Sequence, residues 1–227
     1  MTRVRHKLAA CALASAAVLA AGCSQSVSGA GHFGTDGSGD GLVSASAMAA
    51  LLPSAAEAAD VAHTGPLGAP RTYTTLPAAV AGPSSPACTT TLMVGGGYGN
   101  KQTDVRGEAM AEGIGDTPST VDVAVVRFDD RAGAQTFLDS VTASWAECSG
   151  KMITFAGDTV NWVAGPPKMT YGVHTVTRAK EGGQGFGCAR AISVHANLVV
   201  DVISCNSDRT IVGRRSAQLV SFVLNRI

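Results

Sequence analysis

No stretch of this 227-residue sequence stays apolar for the ~20 residues that a membrane-spanning helix needs. It has no run of lysine and arginine, which removes the charge pattern of a nucleic-acid partner. The spacings C-x-x-C and H-x-x-x-H are missing, so no metal site is expected. A serine nucleophile on a strand-to-helix elbow needs G-x-S-x-G, and a phosphate loop needs G-x-x-x-x-G-K-[ST]; neither occurs. No catalytic residue and no cofactor is expected from any local motif, and the first expectation is a protein that is not an enzyme. A hydrolase whose Ser, His and Asp meet only in space is the third of three readings developed below.

What is present begins at the N-terminus. Arg3, Arg5 and Lys7 precede an uncharged, Ala-rich run over residues 8–21, the layout of a secretory signal. The run ends Leu19-Ala20-Ala21-Gly22-Cys23, which resembles a lipobox with its leucine one position further from the cysteine than usual. Residues 1–22 are therefore expected to be a signal peptide, and Cys23 the site of lipidation. A diacylglyceryl-cysteine carries at least two acyl chains, and two chains anchor stably where one holds only marginally. Loss of residues 1–22 removes three basic residues and no acidic one, which leaves the mature chain about three charges negative. The expected location is the outer face of the cell membrane, with the lipid as membrane partner.

Residues 23–41 hold the lipidated cysteine and a Ser/Gly-rich tether of about 18 residues, long enough to span roughly 20–25 Å as a flexible coil. Its Asp36–Gly41 end mimics half a calcium loop, but Ala47 stands where the bidentate glutamate belongs, so it reads as linker. From residue 42 the composition becomes that of a domain, expected over 42–227. Ser44 is a candidate cap for a helix over 45–52, and Ser54 for another through residue 60. Residues 64–87 look irregular. Alternating valines predict a strand over 121–128, and Asp129-Asp130 caps a helix from 131 to about 147. That helix has a stripe of Ala134, Phe137, Leu138, Val141 and Trp145. Strands are predicted at 151–156, 158–164, 170–179, 186–194 and 198–205, and a helix over 208–227. Glu108 and Glu112 read as an exposed helical face. Gly95–Gly99 reads as a hairpin or loop, and Gly182–Gly187 as a turn entering a strand. The sum is an α+β fold, an antiparallel β-sheet packed with helices.

Cys88, Cys148, Cys188 and Cys205 remain after Cys11 leaves with the signal and Cys23 is lipidated. An even number in an oxidising compartment predicts two disulfides, with three pairings open. A two-residue turn at Ala196-Asn197 sets residue 188 opposite 205 in the hairpin register, so Cys188–Cys205 is placed across strands and Cys88–Cys148 follows. His195 falls at that turn, and His174 in a strand with no acid partner in view.

The residues from 88 to 205 carry a resemblance. Cys88 is followed by Trp145-Ala146-Glu147-Cys148-Ser149-Gly150, then Gly187-Cys188-Ala189-Arg190-Ala191. After these come Asn197-Leu198-Val199-Val200-Asp201-Val202 and Cys205, and Leu51-Leu52-Pro53 fits upstream. This pattern resembles the PknH-like extracellular sensor domain of actinobacteria, over about residues 42–227. The resemblance implies an α+β domain with the two disulfides paired as above and a groove that receives a ligand. It also implies a setting either outside a receptor Ser/Thr kinase or in free-standing lipoproteins. Apolar and aromatic groups with few polar ones would line such a groove, and Trp162, Tyr171 and Phe186 are its candidates. The expected function is membrane-anchored binding of a small-molecule, lipid or glycan ligand. The alternative is a structural component of the envelope with a protein partner.

Overall fold

A computed structural model describes residues 41–78, 83–113, 117–155 and 160–227. The signal segment, Cys23 and the tether as far as residue 40 lie outside the described residues. The strands in chain order are β1 (Arg71–Tyr73), β2 (Asp104–Ala111), β3 (Thr120–Arg127), β4 (Met152–Ile153), β5 (Trp162–Ala164), β6 (Lys168–Thr170), β7 (Val173–Lys180), β8 (Gly187–His195) and β9 (Leu198–Asn206). They form one sheet in the order β1-β2-β3-β9-β8-β7-β5-β4, with β6 on β7. Every pairing is antiparallel. The helices are α1 (Ala55–Ala62), α2 (Arg131–Cys148) and α3 (Val212–Leu224).

The central strands are rich in β-branched residues at both odd and even positions, because both faces of the sheet are covered. Val121, Val123, Val125, Val200 and Val202 point to one face and pack under α3, α1 and a 3-10 turn at Met48–Leu51. Ala124, Val126, Val199, Ile192 and Val176 point to the other, where Phe137, Val141 and Trp145 of α2 meet them. The helical stripe expected for α2 is buried along its length, and Asp130 accepts the Gly133 N–H at 2.7 Å as its cap. Ser54 caps α1 in a reciprocal box with Glu57. The β8–β9 turn is at Ala196-Asn197, with Ala196 at φ +52°. Buried Asn197 secures this turn by bonding the backbone of Val43 and Phe128.

Several expectations need correction. Glu108 is not on a helical face: residues 104–111 form β2, and Glu112 just beyond it accepts the backbone N–H groups of Gly65 and Ser119. That strand was hidden because charged and small residues interrupt its apolar alternation. The stretch 64–87 contains the edge strand β1. Ser44 caps no helix; its hydroxyl meets Ser46, and only a single 3-10 turn follows. The strand predicted at 170–179 breaks at Tyr171-Gly172, both at positive φ, to give the β6–β7 hairpin. The last helix starts at Val212, after a turn organised by Asp208. Of the two readings of Gly95–Gly99, hairpin or loop, the structure shows the loop, a set of turns whose Val94 and Tyr98 pack into the core under α2.

Both disulfides join the expected partners. Cys188–Cys205 bridges directly paired residues of β8 and β9, 17 apart in sequence. Cys88–Cys148 ties a 3-10 helix at Pro86–Thr91 to the end of α2, 60 apart. On the chain-entropy model, Cys88→Ser with Cys148→Ser should cost ~4 kcal/mol in urea unfolding, and Cys188→Ser with Cys205→Ser ~3 kcal/mol. The reverse ranking would show that native-state strain or denatured-state structure outweighs loop length.

Candidate functional site

The site grows from charged residues at inward-facing strand positions. Arg190 on β8 and Asp201 on β9 are diagonal neighbours under α2, and both side chains are fully buried. The guanidinium meets the carboxylate through Nε at 2.9 Å and Nη2 at 2.6 Å. Burial opposes the charge on Arg190, but the attraction and hydrogen bonds of Asp201 overcome it and raise its pKa. The segment from Thr90 to Gly96 wraps this pair. Arg190 Nη1 donates to the carbonyls of Thr90 and, at 2.9 Å, Gly96, while Gly95 N–H donates to Asp201 at 3.2 Å. A side chain at Gly96 would crowd the wrap, since a Cβ would meet the Thr89 carbonyl at 3.1 Å and Arg190 at 3.0 Å. The Tyr98 hydroxyl is buried beside the pair without a well-formed hydrogen bond, and burial raises its pKa well above the usual value.

Beyond this wrap the same sheet face is open. A cleft of about 540 Å³ lies over β2, β3 and β9, lined by Leu92, Met93 and Arg71 among others. Asp122, Ile203 and Arg178 also line it. Tyr73 lies across Gly107 of β2, where a Cβ would stand 2.2 Å from the ring, and its hydroxyl donates to Asp122 at 2.6 Å. Asp122 is pushed up to about 6, first by burial and then by the charge of Asp201, against the Tyr73 bond, Arg71 and Arg190. Arg178 on β7 donates from Nη1 to the Thr91 carbonyl at 2.5 Å and lies 5.1 Å above the Trp162 ring. Burial, then the nearby Arg190 charge, lower Arg178 to about 10, so it stays protonated at neutral pH.

The three aromatic candidates separate. Trp162 and Phe186 are brought together with ring centroids 6.1 Å apart, and Trp162 reaches the cleft through Arg178. Tyr171 is 66% exposed at the β6–β7 turn, the length of β7 away, roughly 25 Å. Arg71, Asp122 and Arg178 carry no motif in the sequence, and Arg190 and Asp201, though within the resembling segments, are not marked there as a pair. The available signal was parity: Arg190 shares its face with Cys188, and Asp201 with Cys205. His195 is exposed and His174 half-buried; among the described residues neither side chain hydrogen-bonds a Ser or Cys. Cys88, Cys148, Cys188 and Cys205 are all bridged. Among the described residues no three His, Cys, Asp or Glu gather as metal ligands, and no helix is long and apolar enough to cross a membrane.

These features define a disulfide-bridged α+β module with a mainly apolar cleft, edged by a few charged groups, on one sheet face. The family model described as the PknH-like extracellular domain matches residues 43–226, and the chain belongs to that family. A 109-residue segment is 30% identical to the serine/threonine-protein kinase PknH of Mycobacterium bovis, covering 47% of this chain and 18% of that kinase. The Mycobacterium tuberculosis PknH matches at the same identity over 17% of its length, so the aligned part is less than a fifth of these kinases. The crystal structure of the extracellular domain of PknH from Mycobacterium tuberculosis superposes with a TM-score of 0.72 and 26% identity. That superposition covers 82% of this chain and 96% of the other.

Two outcomes test the site. Asp201→Asn leaves Arg190 buried and unmatched and should cost about 3–5 kcal/mol in chemical denaturation. Replacing both together (Arg190→Met, Asp201→Leu) should cost less than Asp201→Asn alone. Asp122 binds its proton more tightly in the folded chain, at about 6 against an ordinary 3.8. The contribution of Asp122 to stability should therefore increase as pH falls from above 6 toward 4. Relative to Asp122→Asn, the wild type should gain stability between about pH 7.5 and pH 4.5; a flat difference would remove the shift.

Proposed function

We propose that this chain is a ligand-binding module of the sensor type, held at the outer face of the membrane by lipidated Cys23. In this reading residues 1–22 are the signal peptide, 23–41 the lipidated cysteine and tether, and 42–227 the binding domain. The observation that carries it is the 540 Å³ cleft, a size suited to a small molecule and furnished with apolar walls and a few convergent polar groups. Membership of a family of extracellular domains supports the location. The ligand is a small molecule, a lipid or a glycan fragment, and no catalytic step is assigned to the cleft. A structural role with an envelope protein partner is the second reading. The observation favouring it is the β6–β7 tip, where Met169 and Tyr171 are 59% and 66% exposed.

Cys23→Ser should move the protein from the membrane fraction to the soluble one and abolish incorporation of labelled palmitate. Unchanged fractionation would refute the anchor. Native mass spectrometry of protein purified from its own envelope should show a retained ligand. Ala109→Phe, which fills the cleft floor, should lose that ligand without loss of fold. A stoichiometric protein partner with no small ligand retained would favour the structural reading.

A further inference from the structure

The arginines of this domain divide by how their charge is met. Arg190 is matched by Asp201, Arg127 by Asp104 at 2.7 Å, and Arg226 by Glu57 at 2.6 Å. Arg178 is half-buried, yet among the described residues no carboxylate lies within ion-pair distance of it. A guanidinium offers five N–H donors. Nη1 donates to Thr91, while among the described residues Nε and Nη2 have no acceptor, and the side chain is partly open to solvent. The Trp162 ring 5.1 Å from Cζ and the Thr91 carbonyl together hold the guanidinium in place before any ligand arrives. Partial burial without a counter-ion costs free energy that an incoming anion would offset.

The surroundings define the rest of such a ligand. Leu92, Met93 and Ile203 supply apolar contact within the same cleft, and Arg71, near enough to act on Asp122, adds a second cation. Asp122 contributes the one carboxylate among the residues that line it. A dication would be repelled by two arginines, and a neutral apolar molecule would leave the Arg178 fork unmatched.

We infer that the cleft takes an organic anion with an apolar body, its carboxylate or phosphate received by the free edge of Arg178 beside Trp162. This rests on the ligand-cleft reading and names the chemistry of the ligand. The test uses octanoate, 1-octanol and octylammonium as probes, of similar length and different charge. They are titrated into the mature domain while the two tryptophan indole N–H signals are followed by NMR. Trp162 lies at the fork, whereas Trp145 is buried and bonded to the Thr90 carbonyl at 3.1 Å. Octanoate should shift the Trp162 signal and bind about ten-fold or more tighter than octanol, the size of one charge-assisted contact. Octylammonium should bind more weakly than octanol. Arg178→Gln should bring octanoate down to the level of octanol and leave octanol unchanged.

Equal affinity of octanoate and octanol for the wild-type domain would overturn the inference while leaving an apolar cleft in place. So would an Arg178→Gln variant that keeps full octanoate affinity. Binding of none of the three probes would sink the cleft reading itself. Should Arg178→Gln fail to fold, the three-probe ranking on the wild type decides alone. Oleoyl lysophosphatidic acid run beside octanoate separates a lipid source from a free acid, by which of the two binds more tightly.

Discussion

Arg190 and Asp201 face each other inside the sheet-helix interface with no exposure to solvent. Two charges taken out of water demand that every remaining donor and acceptor be met, or the desolvation cost goes uncompensated. The chain from Thr90 to Gly96 meets that demand, with two carbonyls turned to the guanidinium and one N–H to the carboxylate. The Trp145 indole shares the Thr90 carbonyl, so the longest helix is tied to the same point. Once this segment is fixed, the Thr91 carbonyl falls where Arg178 uses it, and Leu92 with Met93 becomes a cleft wall. The pair thus sets the position of groups that never touch it.

Strand pairing explains how two arginines of one sheet face come to differ. Arg178 stands opposite Cys188 and Arg190 opposite Val176, so the two guanidinium groups are neighbours on adjacent strands. Their like charges repel, which favours a partner for at least one. Asp201 satisfies Arg190 from β9, on the far side of β8 from Arg178. Arg178 is left with a carbonyl and an aromatic face, both of which tolerate a cation without cancelling its charge.

Much of this architecture is legible in the sequence where local and long-range signals agree. Val121–Val126, the Phe137–Trp145 stripe and the Ala196-Asn197 turn each carry a strong period or a backbone requirement, and the cysteine register follows from that turn. Strand β2 does not read, since Gly107 is there to accommodate Tyr73 and the charges at 104, 106 and 108 blur the alternation. The glycine run reads as a loop, but its tertiary role does not: Gly96 answers to a neighbour 94 positions away, not to a local turn type. Of the aromatic candidates, Trp162 and Phe186 meet only because β5 and β8 both flank β7, a fact of topology that spacing along the chain does not contain.

The two ends of the described domain are fastened to distant partners. Val43 bonds Asn197 across 154 positions, and Arg226 reaches back 174 positions to the Leu52 carbonyl at 2.6 Å. Such contacts form only after nearly all of the chain is in hand, and topologies dominated by them fold in milliseconds to seconds, not microseconds. The two clasps that fasten its ends can therefore close only after the segment carrying α3 and Arg226 has been made.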